Sequence, residues 1–468
     1  MAEQEISSRR WPMVVVANTL PVRRTKEKGR SIWEVSPGGL VSALQPIIQR
    51  AQGAWVGWTG TAGRAPDPFM HGDIANIPVP IGAAELRGFY QGVCNRTLWP
   101  LYHDAIRQPE YHRHWWVHYR AVNERFANAA AKTVAPGGLV WVHDYHLHLV
   151  PGILRKLRGD VRIGFFLHIP FPPEELFTRL PWRRQILEGT LGADVVGFQT
   201  KAGAHNFTRL AQRYAAARGR GSRLQFAGRS VHVAAYPISI DFEKYESVAR
   251  HPAVLNHAEE LRKNLGSGRK IILGVDRLDY TKGIDVRVKA FGELLSRELQ
   301  TIDDTVFVQV AVPSRERIEE YQELRSSVEE LVGQINGRFG EVGVAPVHYL
   351  RRNLPFEELI AMYRAADVML VTPYCDGMNL VAKEYVATRF DNTGVLILSE
   401  FAGAAPELHN AQLVNPHDVD SLAEAMHHGL TLAPKDAKKN MRAMRRVVKR
   451  HTVHDWANSF MKSLKGKG

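Results

Sequence analysis

Residues 367–385 read DVMLVTPYCDGMNLVAKEY, an apolar run followed by a glycine-containing turn and an amphipathic stretch. This order predicts a buried strand that leads through a short loop into a helix. Similar units recur along the chain, where short apolar runs alternate with longer amphipathic stretches. Alternation of this kind is typical of parallel sheets flanked by helices. We therefore predict an α/β fold.

Two series of such units meet near residues 236–242. The predicted strands are MVVVAN, GAWVGW, GLVWVHD, RIGFFLHIP and ADVVGFQ in the first series, and KIILGVDRLD, TVFVQVAVP, PVHYL, DVMLVTP and GVLILSE in the second. Helices are predicted over residues 174–190, 202–217, 315–335 and 355–366. A chain of 468 residues is long enough for two domains of about 200 residues each.

We expect two doubly wound, Rossmann-like domains facing across a cleft. The first would comprise residues 1–237 and the second residues 238–453. Residues 454–468 would form a C-terminal helix that crosses back to the first domain. In open parallel sheets, ligands bind beyond the carboxyl ends of the strands, so functional residues are expected there.

Composition and charge exclude several classes of protein. The 45% hydrophobic and 23% charged residues are normal for a packed globular protein. No stretch approaches the roughly 20 uninterrupted apolar residues of a membrane span, and the N-terminus lacks the pattern of a secretory signal. The two cysteines suit a reducing compartment, so we expect a cytoplasmic protein without a membrane partner.

The net charge of +13 attracts anions of any kind. Much of this charge lies in residues 435–450, which lack the interleaved aromatic residues of single-strand binders. A solvated helix face is the simpler interpretation. We therefore expect small anionic substrates and no nucleic-acid partner.

The loop VDRLDYTKGI, residues 275–284, places two cations after a predicted strand. Arg277 offers a planar fork for phosphate oxygens, and Lys282 adds a mobile point charge. Together they could neutralise a diphosphate leaving group as its charge develops. The alternative is a surface loop in which the two cations form salt bridges to Asp276 and Asp279.

The turn in residues 372–385 precedes a helix whose N-terminal N–H groups could stabilise an anion. Asp376 lies in the turn and could hold sugar hydroxyls. Glu384 lies about two helical turns further and could accept hydrogen bonds from a ribose. The alternative is that Asp376 only caps the helix.

Histidines suggest a metal site that the spacing does not support. Residues 143–148 read HDYHLH, but side chains leaving a strand end diverge, whereas zinc needs three or four converging ligands. His168, between apolar residues and two prolines, is interpreted as lining a cleft. The acids Asp418 and Asp420 resemble a metal-binding pair, but capping of the following helix explains them better. No metal is predicted.

The runs HDYHL, GFFLHIPFP, RLDYTKG, DGMNLVAKEY and SEFAGAA, in this order, resemble the trehalose-6-phosphate synthases, which are retaining glycosyltransferases of the GT-B fold. The resemblance extends from VVVAN to HDW. It implies transfer of glucose from UDP- or GDP-glucose to glucose 6-phosphate, giving α,α-trehalose 6-phosphate. It also implies retention of the anomeric configuration, with no metal and no cofactor besides the nucleotide sugar.

The resemblance further implies roles for individual residues. The reaction centre would comprise Arg277, Lys282, Asp144, His168 and Asp376. The donor would be bound by Gly39, Arg277, Lys282, Asn379, Leu380, Val381 and Glu384, with base contacts from Val310, Val312 and the segment after Tyr349. The acceptor would be bound by Tyr90, Trp99, Asp144, Arg315 and Thr19.

Two positions depart from the family pattern. Thr19 stands where the family usually has an arginine that helps to bind the acceptor phosphate, and Cys375 stands where many members have arginine. Arg23 or Arg24 could substitute for the first. Otherwise the protein could be a related transferase of specialised metabolism with another sugar or a carbocyclic acceptor. A non-catalytic sugar-phosphate sensor is a further alternative, and the sequence leaves a homo-oligomer open.

Overall fold

A computed structural model describes residue 6 and residues 8–27, 30–36, 39–104, 106–316 and 318–466. The chain divides into two compact units. The first unit runs through Ile238 and resumes at His454, and the second is Ser239–Val453. The sequence-based boundary at residue 237 lies one residue before the observed one.

The described part of the first unit contains a ten-stranded sheet in the order β10-β11-β12-β9-β8-β7-β1-β4-β6-β5 and a separate β2-β3 hairpin. Strands β12 to β6 in this order pair in parallel, and antiparallel strands flank them at both edges. The strands are β1 Trp11–Thr19, β2 Val22–Glu27, β3 Arg30–Val35, β4 Ala54–Trp58, β5 Phe69–His71, β6 Ile74–Pro78, β7 Val134–His143, β8 Arg162–Phe166, β9 Val195–Phe198, β10 Arg218–Arg220, β11 Arg223–Phe226 and β12 Arg229–Ala235.

Helices connect these strands. The α-helices are Gly39–Arg50, Ala83–Glu85, Trp99–Tyr102, Arg113–Thr133, Val150–Leu157, Glu174–Phe177, Arg183–Thr190, Lys201–Tyr214 and the C-terminal Val453–Leu464. A π-helix spans Leu86–Leu98, and a 3₁₀ turn spans Tyr145–Leu147. Because β1, β7 and β8 are parallel neighbours, their carboxyl ends share one edge. Thr19, Asp144 and His168 therefore lie at the same edge of the sheet.

The described part of the second unit contains a six-stranded parallel sheet in the order β15-β14-β13-β16-β17-β18. Its strands are β13 Lys270–Arg277, β14 Thr305–Val312, β15 Val347–Leu350, β16 Val368–Val371, β17 Val395–Ser399 and β18 Gln412–Val414. Its α-helices are Phe242–Ala249, Pro252–Asn264, Ile284–Ser296, Glu319–Phe339, Phe356–Ala365, Leu380–Thr388, Val419–Thr431 and Pro434–Arg450, and a 3₁₀ turn spans Tyr280–Lys282.

Two predicted helices are corrected. Residues 174–190 form two helices, because Pro181 lies in the turn between Phe177 and Arg183 and a proline cannot continue a helix. The helix predicted over residues 315–335 begins at Glu319, because Arg315 has a φ of +50°, outside the helical region. Among the described residues, no helix is both long and apolar enough to cross a membrane.

The C-terminal helix completes the core of the first unit. The ring of Phe460 stacks on that of Trp141 in β7, with centroids 4.5 Å apart. Trp456 is fully buried against the same tryptophan. A β-carbon at Gly164 would lie 2.7 Å from the Phe460 ring, so β8 needs glycine where this ring approaches it.

Candidate active site

The second unit brings Lys282 and Asp376 together. Lys282 ends the 3₁₀ turn after β13, and Asp376 lies in the turn after the neighbouring strand β16. Lys282 Nζ lies 2.5 Å from Asp376 Oδ2, and the two side chains are 10% and 14% exposed. Asn379 Nδ2 donates to the same carboxylate oxygen at 3.1 Å. The predicted cation and the predicted sugar-binding carboxylate therefore form one cluster.

The helix after this cluster is capped by Asn379. Its φ is +73°, and its Oδ1 accepts a hydrogen bond from Ala382 N at 3.3 Å. The interpretation of Asp376 as the cap is therefore wrong, because Asp376 is bonded to Lys282 and lies three residues before the cap. Leu380 and Val381 begin the helix and are partly exposed, so their N–H groups form the anion-attracting end. By contrast, Asp418 caps its helix as predicted, by accepting from Ser421 N.

The fully buried side chain of Arg287 holds the backbone of Lys282 in place. Arg287 Nη2 donates to the Lys282 carbonyl oxygen at 2.7 Å and to Asp276 Oδ2 at 2.5 Å. Burial raises the pKa of Asp276, and the charges of Arg287 and Lys282 oppose that rise. Sequence reasoning missed Arg287, a charged residue among the buried positions of the helix Ile284–Ser296.

Asp279 pairs with Arg315, a partner that the alternative of a salt-bridged surface loop did not include. Arg315 Nη1 lies 3.0 Å from Asp279 Oδ2, and the arginine side chain is only 7% exposed. Although burial by itself raises the pKa of Asp279, the charges of Arg315, Arg277 and Lys282 lower it to about 2. Arg277 ends β13 with an exposed side chain. The predicted acceptor-side cation Arg315 is thus already held by a carboxylate.

Glu384 lies on the helix after the turn and is not bonded to the Lys282–Asp376 pair. Tyr363 donates a hydrogen bond to Glu384 Oε2 at 3.0 Å. Burial raises the pKa of Glu384, while hydrogen bonds from Tyr245 and Tyr363 oppose this rise. Of the two predicted base contacts on β14, Val310 is fully buried and Val312 is partly exposed at the strand end.

The segment SEFAGAA holds the Asp376 turn in place from the side of β17. Asp376 N donates to the Phe401 carbonyl, Gly403 N to the Asp376 carbonyl, and Ala404 N to the Met378 carbonyl, at 2.8–3.2 Å. A β-carbon at Gly403 would overlap the carbonyl oxygen of Gly377, so this close approach requires glycine.

A buried ion pair extends this contact. Lys383 Nζ lies 2.9 Å from Glu407 Oε1, and the lysine side chain is 1% exposed. Burial lowers the pKa of Lys383, while Glu407 opposes this effect. The pair therefore joins the helix that carries Glu384 to the segment that follows SEFAGAA.

In the first unit, Asp144 and His168 lie together after β7 and β8. Asp144 has a φ of +74°, which is uncommon for a non-glycine residue and typical of functional sites. Its Oδ1 accepts a hydrogen bond from His168 N at 3.2 Å. His143 Nδ1 lies 3.1 Å from His168 Nε2. No group of three or more His, Cys, Asp or Glu within the described ranges could hold a metal ion.

The predicted acceptor-binding aromatic residues flank the turn after Asp144. The Tyr90 ring stacks on His146 with centroids 6.0 Å apart, and the buried Trp99 lies 5.7 Å from Tyr145. Thr19 ends β1 with an exposed side chain, and its carbonyl oxygen accepts from Trp55 Nε1.

The remaining predicted residues lie apart from these contacts. Arg23 lies on the β2-β3 hairpin, 3.8 Å from Glu34, and Arg24 beside it is exposed. Gly39 begins the helix that follows this hairpin, and the preceding Pro37 and Gly38 are outside the described residues. Cys375 is partly exposed in the turn before Asp376.

Comparison with known proteins defines the class. The profile of glycosyltransferase family 20 matches residues 12–466, so the chain belongs to this family. Trehalose-6-phosphate synthase from Mycobacterium avium is 52% identical, with 97% of this chain and 95% of the relative covered. That from Mycolicibacterium smegmatis is 51% identical, with coverage of 97% and 92%.

Solved structures agree. The UDP-forming α,α-trehalose-phosphate synthase from Burkholderia xenovorans in complex with glucose-6-phosphate has a TM-score of 0.88 at 33% identity, covering 97% of this chain and 100% of that one. An Escherichia coli trehalose-6-phosphate structure bound with UDP-2-fluoro glucose has a TM-score of 0.89 at 33% identity, with coverage of 97% and 99%. The predicted GT-B fold and the predicted enzyme class, a glycosyltransferase of the trehalose-phosphate synthase type, are confirmed.

Proposed function

We propose that this protein transfers glucose from UDP-glucose to glucose 6-phosphate and so forms α,α-trehalose 6-phosphate. The names of its relatives support this reaction, as do the ligands of the Burkholderia and Escherichia structures. Within the chain itself, the observation that carries the proposal is the Lys282–Asp376 pair beside a helix N-terminus. This arrangement offers both a cation for a diphosphate and a carboxylate for a sugar.

Lys282 could bind the diphosphate of the donor and Asp376 its hexose. Both can do so while paired, because an ammonium group and a carboxylate each form several hydrogen bonds. An ammonium group has three N–H donors, and Lys282 uses one on Asp376. The other two can bind phosphate oxygens, with Arg277 and the N–H groups of Leu380 and Val381 adding positive charge. Asp376 is an ionised carboxylate with several acceptor lone pairs, so it can accept from a hexose hydroxyl. Glu384 would accept from the ribose and His168 would bind the hexose.

We propose a retaining, front-face transfer in which charge and placement carry catalysis. The C1–O bond to the diphosphate breaks and its electron pair leaves with UDP. The acceptor hydroxyl oxygen then bonds to C1 on the same face, and its proton passes to the departing phosphate. Because Lys282, Arg277 and the helix end stabilise the developing negative charge, this mechanism includes no metal ion and no protein nucleophile.

On the acceptor side, the proposal assigns the sugar ring to Tyr90, Trp99 and Asp144, and the phosphate to Arg315. Thr19 cannot supply the charge-assisted contact that an arginine would give, worth about 1.5–3 kcal/mol. Arg315 carries a guanidinium, which stays charged in proteins, and it pairs with the ionised Asp279. The proposal therefore predicts weaker binding of the acceptor phosphate than an additional arginine at position 19 would give.

The test is to incubate purified protein with UDP-glucose or GDP-glucose, each with and without glucose 6-phosphate. We expect release of UDP that depends on glucose 6-phosphate, and a product with two α-anomeric protons by NMR. Addition of EDTA should leave the rate unchanged. The proposal would be overturned if neither UDP-glucose nor GDP-glucose were turned over. A product with a β-configured anomeric carbon would contradict retention.

A further inference from the structure

We propose that His143 is a positioning residue that fixes the tautomer of His168, so that His168 carries its proton on Nδ1 and accepts a hydrogen bond at Nε2. The assignment of the tautomer depends only on contacts within the first unit. The contact in which Nδ1–H donates to an oxygen of the donor hexose also rests on the proposed function.

His168 is held at two points by consecutive residues of the HDYHL run. His143 Nδ1 lies 3.1 Å from His168 Nε2, which fixes the ring. Asp144 Oδ1 accepts from the backbone N–H of His168, which fixes its main chain. The ring also packs on Phe166 and Trp456, with centroids 4.7 Å and 6.2 Å away. His168 can therefore rotate little without breaking the contact with His143.

Both imidazoles are neutral at physiological pH. Burial lowers the pKa of His168 to about 3. Burial, reinforced by the neighbouring His168, lowers the pKa of His143 well below its ordinary value. A neutral imidazole has one N–H and one bare nitrogen, so in this pair one ring donates and the other accepts.

The surroundings of His143 decide which ring donates. In the part of the chain that the structure describes, the buried Nε2 of His143 has no protein hydrogen-bond partner. If His168 donated, His143 would carry its proton on this Nε2 and bury an unsatisfied N–H, at a cost of about 1–3 kcal/mol. If His143 donates from Nδ1, its Nε2 is only a bare acceptor, which proteins tolerate better. His143 is therefore the donor.

It follows that His168 Nε2 accepts, and the His168 proton must be on Nδ1. The ring then presents a hydrogen-bond donor from its other nitrogen at every pH where the protein works. A hexose hydroxyl offers lone pairs to such a donor. His143 thus sets the polarity of a group that, under the proposed function, contacts the substrate.

The experiment uses the full-length protein labelled with ¹⁵N-histidine, in which long-range ¹H–¹⁵N correlation spectra distinguish protonated from bare ring nitrogens. The His168 signals are assigned by their loss in His168→Gln. In the wild type we expect His168 Nδ1 to be protonated and Nε2 to be bare. In His143→Asp, which replaces the donor with an acceptor, we expect His168 Nε2 to be protonated.

Two further variants separate tautomer control from packing. His143→Asn places an amide N–H near the former Nδ1 position and should restore the wild-type tautomer. Phe166→Leu loosens the packing of both rings without removing their hydrogen bond, and should leave the tautomer unchanged. A bare Nδ1 on wild-type His168, or a bare Nε2 on His168 in His143→Asp, would overturn the proposal.

Activity gives a separate readout. His143→Asp, whose carboxylate draws the His168 proton to Nε2, should lower kcat/KM for UDP-glucose about tenfold, the effect of losing one neutral hydrogen bond, and His143→Asn should recover most of it. A wild-type protein with the predicted tautomer but no transfer activity would refute the proposed function and leave the tautomer assignment intact. The predicted tautomer change with unaltered donor kinetics would refute the contact between Nδ1–H and the donor.

Discussion

Lys282 is held by contacts at both ends of the residue. Its ammonium group bonds to Asp376, and its carbonyl oxygen accepts from the fully buried Arg287. The ammonium charge is therefore fixed in position before any ligand arrives. Positive charge fixed in this way needs little reorganisation when a leaving group becomes negative, which is the main source of electrostatic catalysis.

Replacing Lys282 with methionine should lower kcat for UDP-glucose by about 100-fold or more, as expected for the loss of one preorganised donor to developing charge. Steady-state kinetics with saturating acceptor measure this effect. Lys289→Met is the matched control, because Lys289 is about half exposed on the next helix and lies 4.0 Å from Asp285. Equal activity of the two variants would contradict the role given to Lys282.

Lys282, Asp376 and His168 were assigned to the candidate site because they follow apolar strands, whereas Asp144 was assigned through the family resemblance. The structure brings Lys282 and Asp376 together, and Asp144 and His168 together, while their roles stay predictions. Arg287 and the Asp279–Arg315 pair were not predicted, because their partners depend on how separate elements pack. Asp276 and Arg277 are adjacent in sequence, but alternate strand residues point to opposite faces, so Asp276 pairs with Arg287 instead.

At the scale of elements, loops of the second unit are joined to one another as well as to their own strands. The turn around Asp376 is bonded to the SEFAGAA segment by the backbone. The buried Lys383–Glu407 pair links the following helix to residues just beyond that segment. Neither Lys383 nor Glu407 is assigned a contact with the substrate. A substitution in this pair therefore tests whether these loops depend on one another for their positions.

We expect Glu407→Gln to remove the carboxylate that pairs with the buried Lys383 and to raise the KM for UDP-glucose several-fold with a smaller change in kcat. Removing one partner of a buried pair costs about 3–5 kcal/mol of stability, so the melting temperature should also fall. Lys383→Met combined with Glu407→Gln should recover much of that stability. Asp367→Asn is the control, because it breaks an ion pair with Arg262 at the opposite ends of the strands. An unchanged KM in Glu407→Gln would contradict the link.

Sequence patterns predicted the strands better than the helix limits. Strand sequences such as KIILGVDR are short and mostly apolar, so both ends of the strand can be located in the sequence. One helix was predicted over residues 174–190, although the chain forms two helices separated at Pro181. Arg315 was predicted to lie in a helix, although it precedes the start of that helix. In both cases the hydrophobic periodicity typical of a helix continued in the sequence across a residue at which the backbone is not helical.

At the scale of the whole molecule, buried histidines make the first unit sensitive to acid. His148 is fully buried, with its ring nitrogens bonded to Tyr102 and Thr190. Burial lowers its pKa from 6.5 to about 3. Between these values the unfolded chain binds a proton that the folded protein does not bind. The stabilising contribution is therefore complete above pH 6.5 and is lost as the pH falls toward 3.

We expect the free energy of unfolding to fall by about 1.4 kcal/mol per pH unit for His148 alone within that window. Urea denaturation at pH 7 and pH 5 measures this slope, and His148→Gln should reduce it. His205→Gln is the control, because His205 is exposed on the helix Lys201–Tyr214. A slope that is unchanged by His148→Gln would show that this histidine is not the source.

The C-terminal helix should be essential for the first unit. Phe460→Ala removes the ring stacked on Trp141 and should cost about 3–5 kcal/mol, a large share of a typical folding free energy. Thermal denaturation followed by tryptophan fluorescence checks this. Leu157→Ala, at an exposed position, should change the melting temperature little. Similar melting temperatures for the two variants would contradict the packing described.

The return of the chain to its first unit imposes an order on protein synthesis. The ribosome makes residues 1–238 first, and the helix that covers Trp141 emerges only after the whole second unit has been translated. Until then the apolar surface meant for Trp456 and Phe460 is open to chaperones and proteases. Chains that end before residue 454 should retain this open surface, so truncation there is expected to leave the first unit prone to aggregation and proteolysis.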